Sequence, residues 1–120
     1  MKDDRVYLGH IHDAINDIEQ YASVDREAFM AEGMRQDAII RKLEIIGEAV
    51  KQLSGATKER HREVQWKQIA GMRDRLTHDY FGVDLALVWK VVERDLPHLK
   101  SAIAALRAER DAQITGPEKK

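Results

Sequence analysis

The stretch QDAIIRKLEIIGEAVKQLS, residues 36–54, has the apolar spacing of an α-helix and decides the fold class. Its apolar side chains recur every three or four residues, at Ile39, Leu43, Ile46, Val50 and Leu53. This period places them on one face of a helix and leaves most charged side chains on the other. The sequence LSG at 53–55 predicts that the helix ends there, with Gly55 in the C-cap position.

Helical spacing continues before this stretch. A first helix carries one apolar stripe, formed by Leu8, Ile11, Ile15, Ile18 and Ala22. After a short break, Ser23 or Asp25 has the side chain of an N-cap. Gly47 lies in the middle of the second helix, where glycine costs about 1 kcal/mol relative to alanine, so we expect close packing of another helix there.

Three further segments follow the second helix. The polar residues 55–63 predict a loop, and a third helix begins near Val64 or Trp66 and runs toward Thr77. Gly82 and Asp84 mark the next boundary, with Asp84 as N-cap. The last helix has a 3-4 pattern of apolar residues, interrupted by Pro97, where we expect a kink or a fresh start capped by Asp95. No stretch alternates like a strand, so the sequence predicts an all-α, antiparallel bundle of four to five helices.

Composition limits the possible functions. The chain has 120 residues, 43% hydrophobic and 34% charged, with a formal net charge of -1. We expect one domain at residues 1–112 and a flexible tail at 113–120. The absence of cysteine excludes disulfides, thiolate zinc sites and a cysteine nucleophile. The near-neutral charge provides no overall basic field. The sequence predicts no membrane span and a cytoplasmic location.

The stretch RDRLTHDYFG, residues 73–82, concentrates reactive side chains. On the third helix, an inward stripe through Ile69 and Leu76 would include position 73, and Tyr80 would lie about 20° from Arg73. An arginine on an inward stripe is costly unless it is paired or functional. A structural pair with Glu44 or Glu48 and a role in an active site both remain possible interpretations.

His78 lies about 140° around an ideal helix from Arg73, so one continuous helix cannot direct both side chains at the same atom. Either the helix unwinds near Thr77, or Arg73 of one chain meets His78 of a second copy. The second arrangement would use a regular apolar stripe at a homodimer interface. Taken alone, a histidine near a helix end is more often a partner of the helix dipole than a catalyst.

Other polar side chains suggest less specific roles. The basic segment with Lys58, Arg60, His61 and Arg62 could steer a polyanion, but a solvated loop is the simpler interpretation. We expect His61 and His98 to face solvent. His10 and His12 are two residues apart and point to opposite sides of a helix, so they do not indicate a metal site.

The motif and its flanks resemble HEPN-domain toxins of the HepT type. RDRLTHDY has the Arg-x4-His-x-Tyr spacing of that family, at Arg73, His78 and Tyr80, and Asp74 follows the arginine as is typical there. Residues 36–54 resemble the second-helix core of the family, 66–84 its motif helix and 88–103 its closing segment. The resemblance covers most of residues 1 to 110.

The resemblance implies an HEPN-like helical bundle that forms a homodimer and acts as an endoribonuclease without metal or other cofactor. The RNA 2′-hydroxyl would attack the adjacent phosphorus. In a cleft at the dimer interface, His78 would transfer the proton and Arg73 would bind phosphate oxygens. Asp74 or Asp79 would orient one of them.

The resemblance also implies a partner. A minimal nucleotidyltransferase antitoxin would adenylylate Tyr80 and so add bulk and negative charge where RNA binds. The alternative is a non-catalytic interaction or nucleotide-binding module of the HEPN fold, which the near-neutral charge favours. Without the motif, Tyr80 would be interpreted as a half-buried aromatic with a hydrogen-bonded hydroxyl.

Overall fold

The computed structural model describes residues 3–76 and 82–115, and it describes only the backbone of Arg73 and of residues 110–115. Within these ranges the elements are α1 (Asp4–Tyr21), α2 (Arg26–Ala31), α3 (Gly33–Gln52), α4 (Gly55–Glu59), α5 (Trp66–Ala70), α6 (Met72–Leu76), α7 (Leu85–Lys90), a π-helical turn (Val91–Asp95) and α8 (Leu96–Thr115). The described ranges contain no β-strand. The predicted all-α class is therefore confirmed.

The core lies between the long helices. Helix α1 packs along α3 and against α8, and α3 also contacts α5 and α6. The stripes predicted for α1 and α3 are buried, as are the apolar residues on one side of α8. Full burial of one such Leu or Ile side chain contributes about 1.5–3 kcal/mol. These stripes face one another within a single chain.

Local capping signals locate two helix starts. Asp25 accepts a hydrogen bond from the backbone N–H of Ala28 at 2.8 Å and caps α2. Asp84 accepts one from the N–H of Leu87 at 3.0 Å and caps α7. Both side chains satisfy an N–H that has no partner within its helix. These two predicted caps are confirmed.

The junction after α3 differs from the prediction. Leu53 leaves the helix in an extended conformation, and Gly55 is the first residue of α4 rather than a C-cap. Ser54 caps α4 by accepting the N–H of Thr57 at 3.2 Å. Asp4, at the start of α1, accepts hydrogen bonds from the Ser54 N–H and from the hydroxyls of Ser54 and Thr57. The prediction that residues 55–63 form only a loop was wrong, because this contact across 50 residues stabilises a helix in a polar segment.

The last helical segment is continuous through Pro97. The N–H of Leu96 donates to the carbonyl of Val91, five residues earlier, and this bond defines the π-helical turn just before the proline. Proline has no N–H and clashes with the preceding turn of an α-helix, so the turn widens there. Asp95 lies inside this π-helical turn and does not cap a new helix. The expected irregularity is present, but the expected cap was wrong.

Helix α8 remains helical to Thr115, and residues 116–120 lie outside the described part of the chain. The domain boundary at residue 112 and the flexible tail stay predictions. Within the described ranges, no helix combines the length and the apolar character that crossing a bilayer requires.

Candidate functional site

The motif segment packs on α3 at a point of close backbone contact. A Cβ atom at Gly47 would lie 2.9 Å from the carbonyl oxygen of Ile69 and 3.4 Å from that of Ala70. Glycine therefore allows the end of α5 to approach α3 more closely than any other residue would. The close helix packing predicted from a mid-helix glycine is confirmed.

Gly71 divides the predicted third helix into α5 and α6. The carbonyl of Gly71 accepts the N–H of Arg75, so Gly71 stays hydrogen-bonded to α6. The helix is nevertheless interrupted between Ala70 and Met72. After the interruption, Met72 is only 2% exposed and lies in the core with Ile69 and Leu76. Met72 therefore continues the buried stripe between Ile69 and Leu76.

Arg73 belongs to α6, and its side chain lies outside the described part of the structure. Its two predicted carboxylate partners on α3 have cationic neighbours on the same helix. Glu44 lies 3.6 Å from Arg41, and Glu48 lies 3.5 Å from Lys51. A pair between Arg73 and either glutamate stays a prediction.

Asp74 is exposed and faces a cleft of about 240 Å³ between α3 and the α5–α6 segment. Glu44, Glu48, Arg41 and Lys51 also line this cleft, so both charges are present there. The floor is formed by the backbone near Gly47 and Gly71. This cleft adjoins the start of the motif. The predicted role of Asp74 in orienting Arg73 or His78 is not tested by these contacts.

His78, Asp79 and Tyr80 lie outside the described residues, and so do Thr77 and Phe81. The residues on either side of this segment contact each other. The backbone N–H of Asp84 donates to the carbonyl of Leu76 at 2.8 Å, so the chain returns to the end of α6. Gly82 has φ +86°, a left-handed conformation that favours glycine. Together with the cap at Asp84, these contacts fix both ends of the segment that carries the motif.

Arg75 also belongs to the site region, although its spacing in the sequence provided no signal for a role. Its guanidinium lies 3.6 Å from the carboxylate of Asp95 and connects α6 to the π-helical turn. The two residues are twenty positions apart, and only the fold brings them together. Arg75 thus orients α6 relative to the last helical segment.

The basic segment before α5 is largely neutralised by acidic neighbours. Arg60 lies 3.0 Å from Glu109 of α8, and Arg62 lies 3.9 Å from Glu59. These ion pairs argue against a free basic surface for binding a polyanion, although part of the segment is helical and not a loop. His98 is exposed, as predicted.

His61 does not face solvent, and that prediction was wrong. Its side chain is 18% exposed, with Nδ1 3.1 Å from Glu63 and Nε2 3.3 Å from Glu109. Burial lowers the pKa of His61, but hydrogen bonds to the two carboxylates outweigh it, so the pKa is raised. The pKa of Glu63 is lowered by its own backbone N–H and by His61. No group of three or more potential metal ligands occurs among the side chains that could be placed.

Comparison with known proteins assigns the family. Residues 11–106 match the family described as Ribonuclease HepT-like. The chain is 44% identical over 102 residues to "Probable ribonuclease HepT" of Thermococcus cleftensis, which covers 84% of this chain and 93% of that protein. It is 41% identical over 104 residues to a "Putative RNase" of Caldanaerobacter subterraneus subsp. tengcongensis, covering 86% of this chain and 93% of the relative.

A longer relative contains the same region. The chain is 45% identical over 111 residues to "Gamma-glutamylcyclotransferase and putative RNase" of Methanocaldococcus jannaschii, covering 92% of this chain. It spans only about half the length of that protein, 50%. No solved structure shows a significant match. The family match covers most of the chain, including every residue of the RDRLTHDY motif, and the chain therefore belongs to the HepT-like ribonuclease family.

Proposed function

We propose that this protein is the toxin of a toxin–antitoxin system, a metal-independent endoribonuclease that uses Arg73 and His78 in a cleft at a homodimer interface. The observation that carries the proposal is the family match over residues 11–106, which includes Arg73, Asp74, His78 and Tyr80 at the family spacing. The backbone bond between Asp84 and Leu76 supports it, because the motif segment is anchored at both ends.

The chemistry requires a proton acceptor and a cation. Neutral His78 accepts the proton of the RNA 2′-hydroxyl, and the oxygen attacks the adjacent phosphorus. The bond from phosphorus to the 5′-oxygen breaks, and that oxygen leaves with a proton from the imidazolium. The products are a 2′,3′-cyclic phosphate and a 5′-hydroxyl.

Arg73 binds the phosphate oxygens that gain charge in the transition state. A guanidinium offers two parallel N–H donors to two oxygens and remains charged at all physiological pH values. Asp74 is exposed on the same short helix and accepts a hydrogen bond from one of the two catalytic side chains. Asp79 is the second candidate for this orienting role.

The reason to propose a homodimer lies in the geometry of the active site and not in exposed apolar surface. The stripes of α1, α3 and α8 are buried within one chain, so they do not require a partner. If α6 continued as a regular helix, Arg73 and His78 would point about 140° apart, and two chains could supply one of each to the same phosphate.

Tyr80 is the proposed regulatory residue. Its hydroxyl oxygen attacks the α-phosphate of ATP held by a cognate minimal nucleotidyltransferase, pyrophosphate leaves, and AMP remains on Tyr80. The added phosphate repels the RNA backbone and fills the cleft. Transfer of AMP therefore neutralises the toxin by excluding RNA from the cleft.

Inducible expression in cells tests the whole scheme. Induction of the wild type should arrest growth and fragment RNA, whereas His78→Ala should be harmless at the same protein level. Co-expression of a nucleotidyltransferase encoded beside the gene should restore growth with the wild type and add the mass of one AMP. Tyr80→Phe, toxic alone, should remain toxic in its presence.

The alternative function as a non-catalytic module predicts a different result. Wild type and His78→Ala would then be equally harmless, and RNA would stay intact in the absence of the nucleotidyltransferase. Tyr7→Phe is the matched control for Tyr80, since Tyr7 is a half-buried tyrosine of α1. If the modification is specific for Tyr80, co-expression of the nucleotidyltransferase must still restore growth in cells that express Tyr7→Phe.

A further inference from the structure

Most cationic side chains that the structure describes have an acidic partner. The exceptions, with no carboxylate within 4.0 Å among the described side chains, are Arg26, Lys58, Lys67, Lys90, Arg94 and Arg107. A cation without an intramolecular partner is available to an external anion. In a chain with a net charge of -1, the distribution of these cations determines where a polyanion can bind.

Arg26, Lys90 and Arg94 meet at one cleft. This cleft has a volume of about 570 Å³ and lies between the start of α2 and the face formed by α7 and the π-helical turn. All three cations are exposed. We call it the α2–α7 cleft.

The acidic residues of the α2–α7 cleft do not cancel its positive charge. Asp25 and Glu93 also line it, so its lining contains three cations and two anions. The carboxylate of Asp25 already accepts the N–H of Ala28. Glu93 has no cationic side chain within 4.0 Å among the described residues.

The wall of the cleft includes a well-packed aromatic side chain. Trp89 is only 9% exposed and packs on Phe29 with ring centroids 5.0 Å apart. Lys90 and Arg94 project from the same helical segment about one turn apart, while Arg26 approaches from α2. The three cations therefore surround one groove from two sides.

The α2–α7 cleft is lined by α7, the helix that follows the motif segment in the chain. Helix α7 begins just after the motif segment, whose far end is joined to Leu76 by the Asp84 N–H. Arg94 directly precedes Asp95, which contacts Arg75 of α6. An RNA strand that leaves the active site along α7 would meet these cations next.

We propose that the α2–α7 cleft binds the phosphodiester backbone of single-stranded RNA beyond the scissile phosphate. The inference rests on the proposed ribonuclease function for the identity of the polyanion. Arg26 and Arg94 bind phosphate oxygens through their planar guanidinium groups, and Lys90 supplies a point charge. These contacts position the strand and do not read its bases.

The test compares two pairs of charge-removing substitutions. Lys90→Gln with Arg94→Gln removes two charges from the cleft, and Lys67→Gln with Arg107→Gln removes two exposed, unpaired charges elsewhere. The probe is a fluorescent 2′-O-methyl oligouridylate, which lacks the attacking hydroxyl and stays intact on the active protein. Anisotropy is measured from about 50 to about 200 mM KCl, and circular dichroism checks the fold.

The Lys90→Gln/Arg94→Gln protein, the cleft pair, should bind the oligouridylate more weakly than the wild type. The negative slope of log K against log salt should become shallower by about 1.4, because each lost phosphate contact on a single strand contributes about 0.7 to its magnitude. The control pair should leave both quantities near the wild-type values. Equal affinity and slope for the two pairs would overturn the proposal. Tighter binding of an acidic peptide than of the oligouridylate would also overturn it.

Cleavage of an unmodified oligouridylate separates this proposal from the proposed function. If the wild type binds through the cleft but does not cut, the ribonuclease proposal fails and the binding site stands. If the wild type cuts and the cleft pair neither slows cutting at subsaturating RNA nor weakens binding, the cleft proposal fails and the ribonuclease stands.

Discussion

Gly47 shows how one residue positions the motif. Alanine at this place would gain about 1 kcal/mol of helix propensity, yet its Cβ would lie 2.9 Å from the backbone carbonyl of Ile69. A backbone atom can move only if α5 moves with it, and overpacking of this kind costs about 1–3 kcal/mol. We expect Gly47→Ala to lower the free energy of unfolding by about 1 kcal/mol and to reduce RNA cleavage, measured by urea denaturation and by a cleavage assay.

Gly9 provides the matched control for Gly47. It lies inside α1, and a Cβ there would have no heavy atom within 4 Å. Gly9→Ala should therefore raise the free energy of unfolding by up to about 1 kcal/mol through helix propensity alone. If both substitutions stabilise the protein, the close contact at Gly47 does not constrain α5.

The amphipathic helices were predictable because their signal is local. The apolar stripes of α1 and α3 repeat within each helix, and the caps at Asp25 and Asp84 act within three residues. Helix α4 depends on the contact of Ser54 and Thr57 with the distant Asp4, which periodicity cannot reveal. Periodicity also missed the interruption at Gly71.

The candidate site was predictable only as a set of residue types. The spacing of Arg73, His78 and Tyr80 could be recognised in the sequence because it resembles the motif of a known family. The salt bridge between Arg75 and Asp95 was not, because no local pattern joins residues twenty positions apart. The same holds for His61 and Glu109, which are separated by 48 residues.

His61 joins the segment before α5 to α8 through a pH-dependent contact. Its folded-state pKa lies above the ordinary value of 6.5, so its protonated form is stabilised by Glu63 and Glu109. This contribution is complete below pH 6.5 and is lost as the pH rises through the folded-state pKa. The free-energy advantage of the wild type over His61→Gln should be about 1 kcal/mol near pH 6 and should shrink at higher pH.

Urea denaturation at a series of pH values between about 6 and 9 measures this difference. His98→Gln is the control, since His98 is exposed and has no carboxylate contact among the residues that the structure describes. The change that His98→Gln makes in the free energy of unfolding should stay within about 0.5 kcal/mol at every pH measured. An advantage of the wild type over His61→Gln that grows with pH would contradict the raised pKa.

At the scale of the whole molecule, the described part of the chain buries its regular apolar stripes and exposes few large apolar side chains. Among the described side chains, Val6 and Met34 are the large hydrophobic residues that remain exposed, and Met34 is 89% exposed. A dimer of this protein would therefore need polar contacts as well as apolar ones. The proposed reason for such a dimer is the division of one active site between two chains.

A mixture of two inactive chains tests this division. The Arg73→Ala chain retains His78, and the His78→Ala chain retains Arg73. In a two-fold dimer with shared sites, a mixed pair has one cleft with both intact residues and one with neither. Random pairing should therefore restore about one quarter of the wild-type number of sites, whereas each variant alone should be inactive.

Two different affinity tags on the chains allow mixed dimers to be purified, and their cleavage activity can be compared with that of each parent. Wild-type dimers with the same two tags set the full activity. Purified mixed dimers should reach about half of it, because one of their two clefts is complete. If mixed dimers form and remain as inactive as their parents, Arg73 and His78 act within a single chain, and residues 77–81 must then turn His78 toward Arg73.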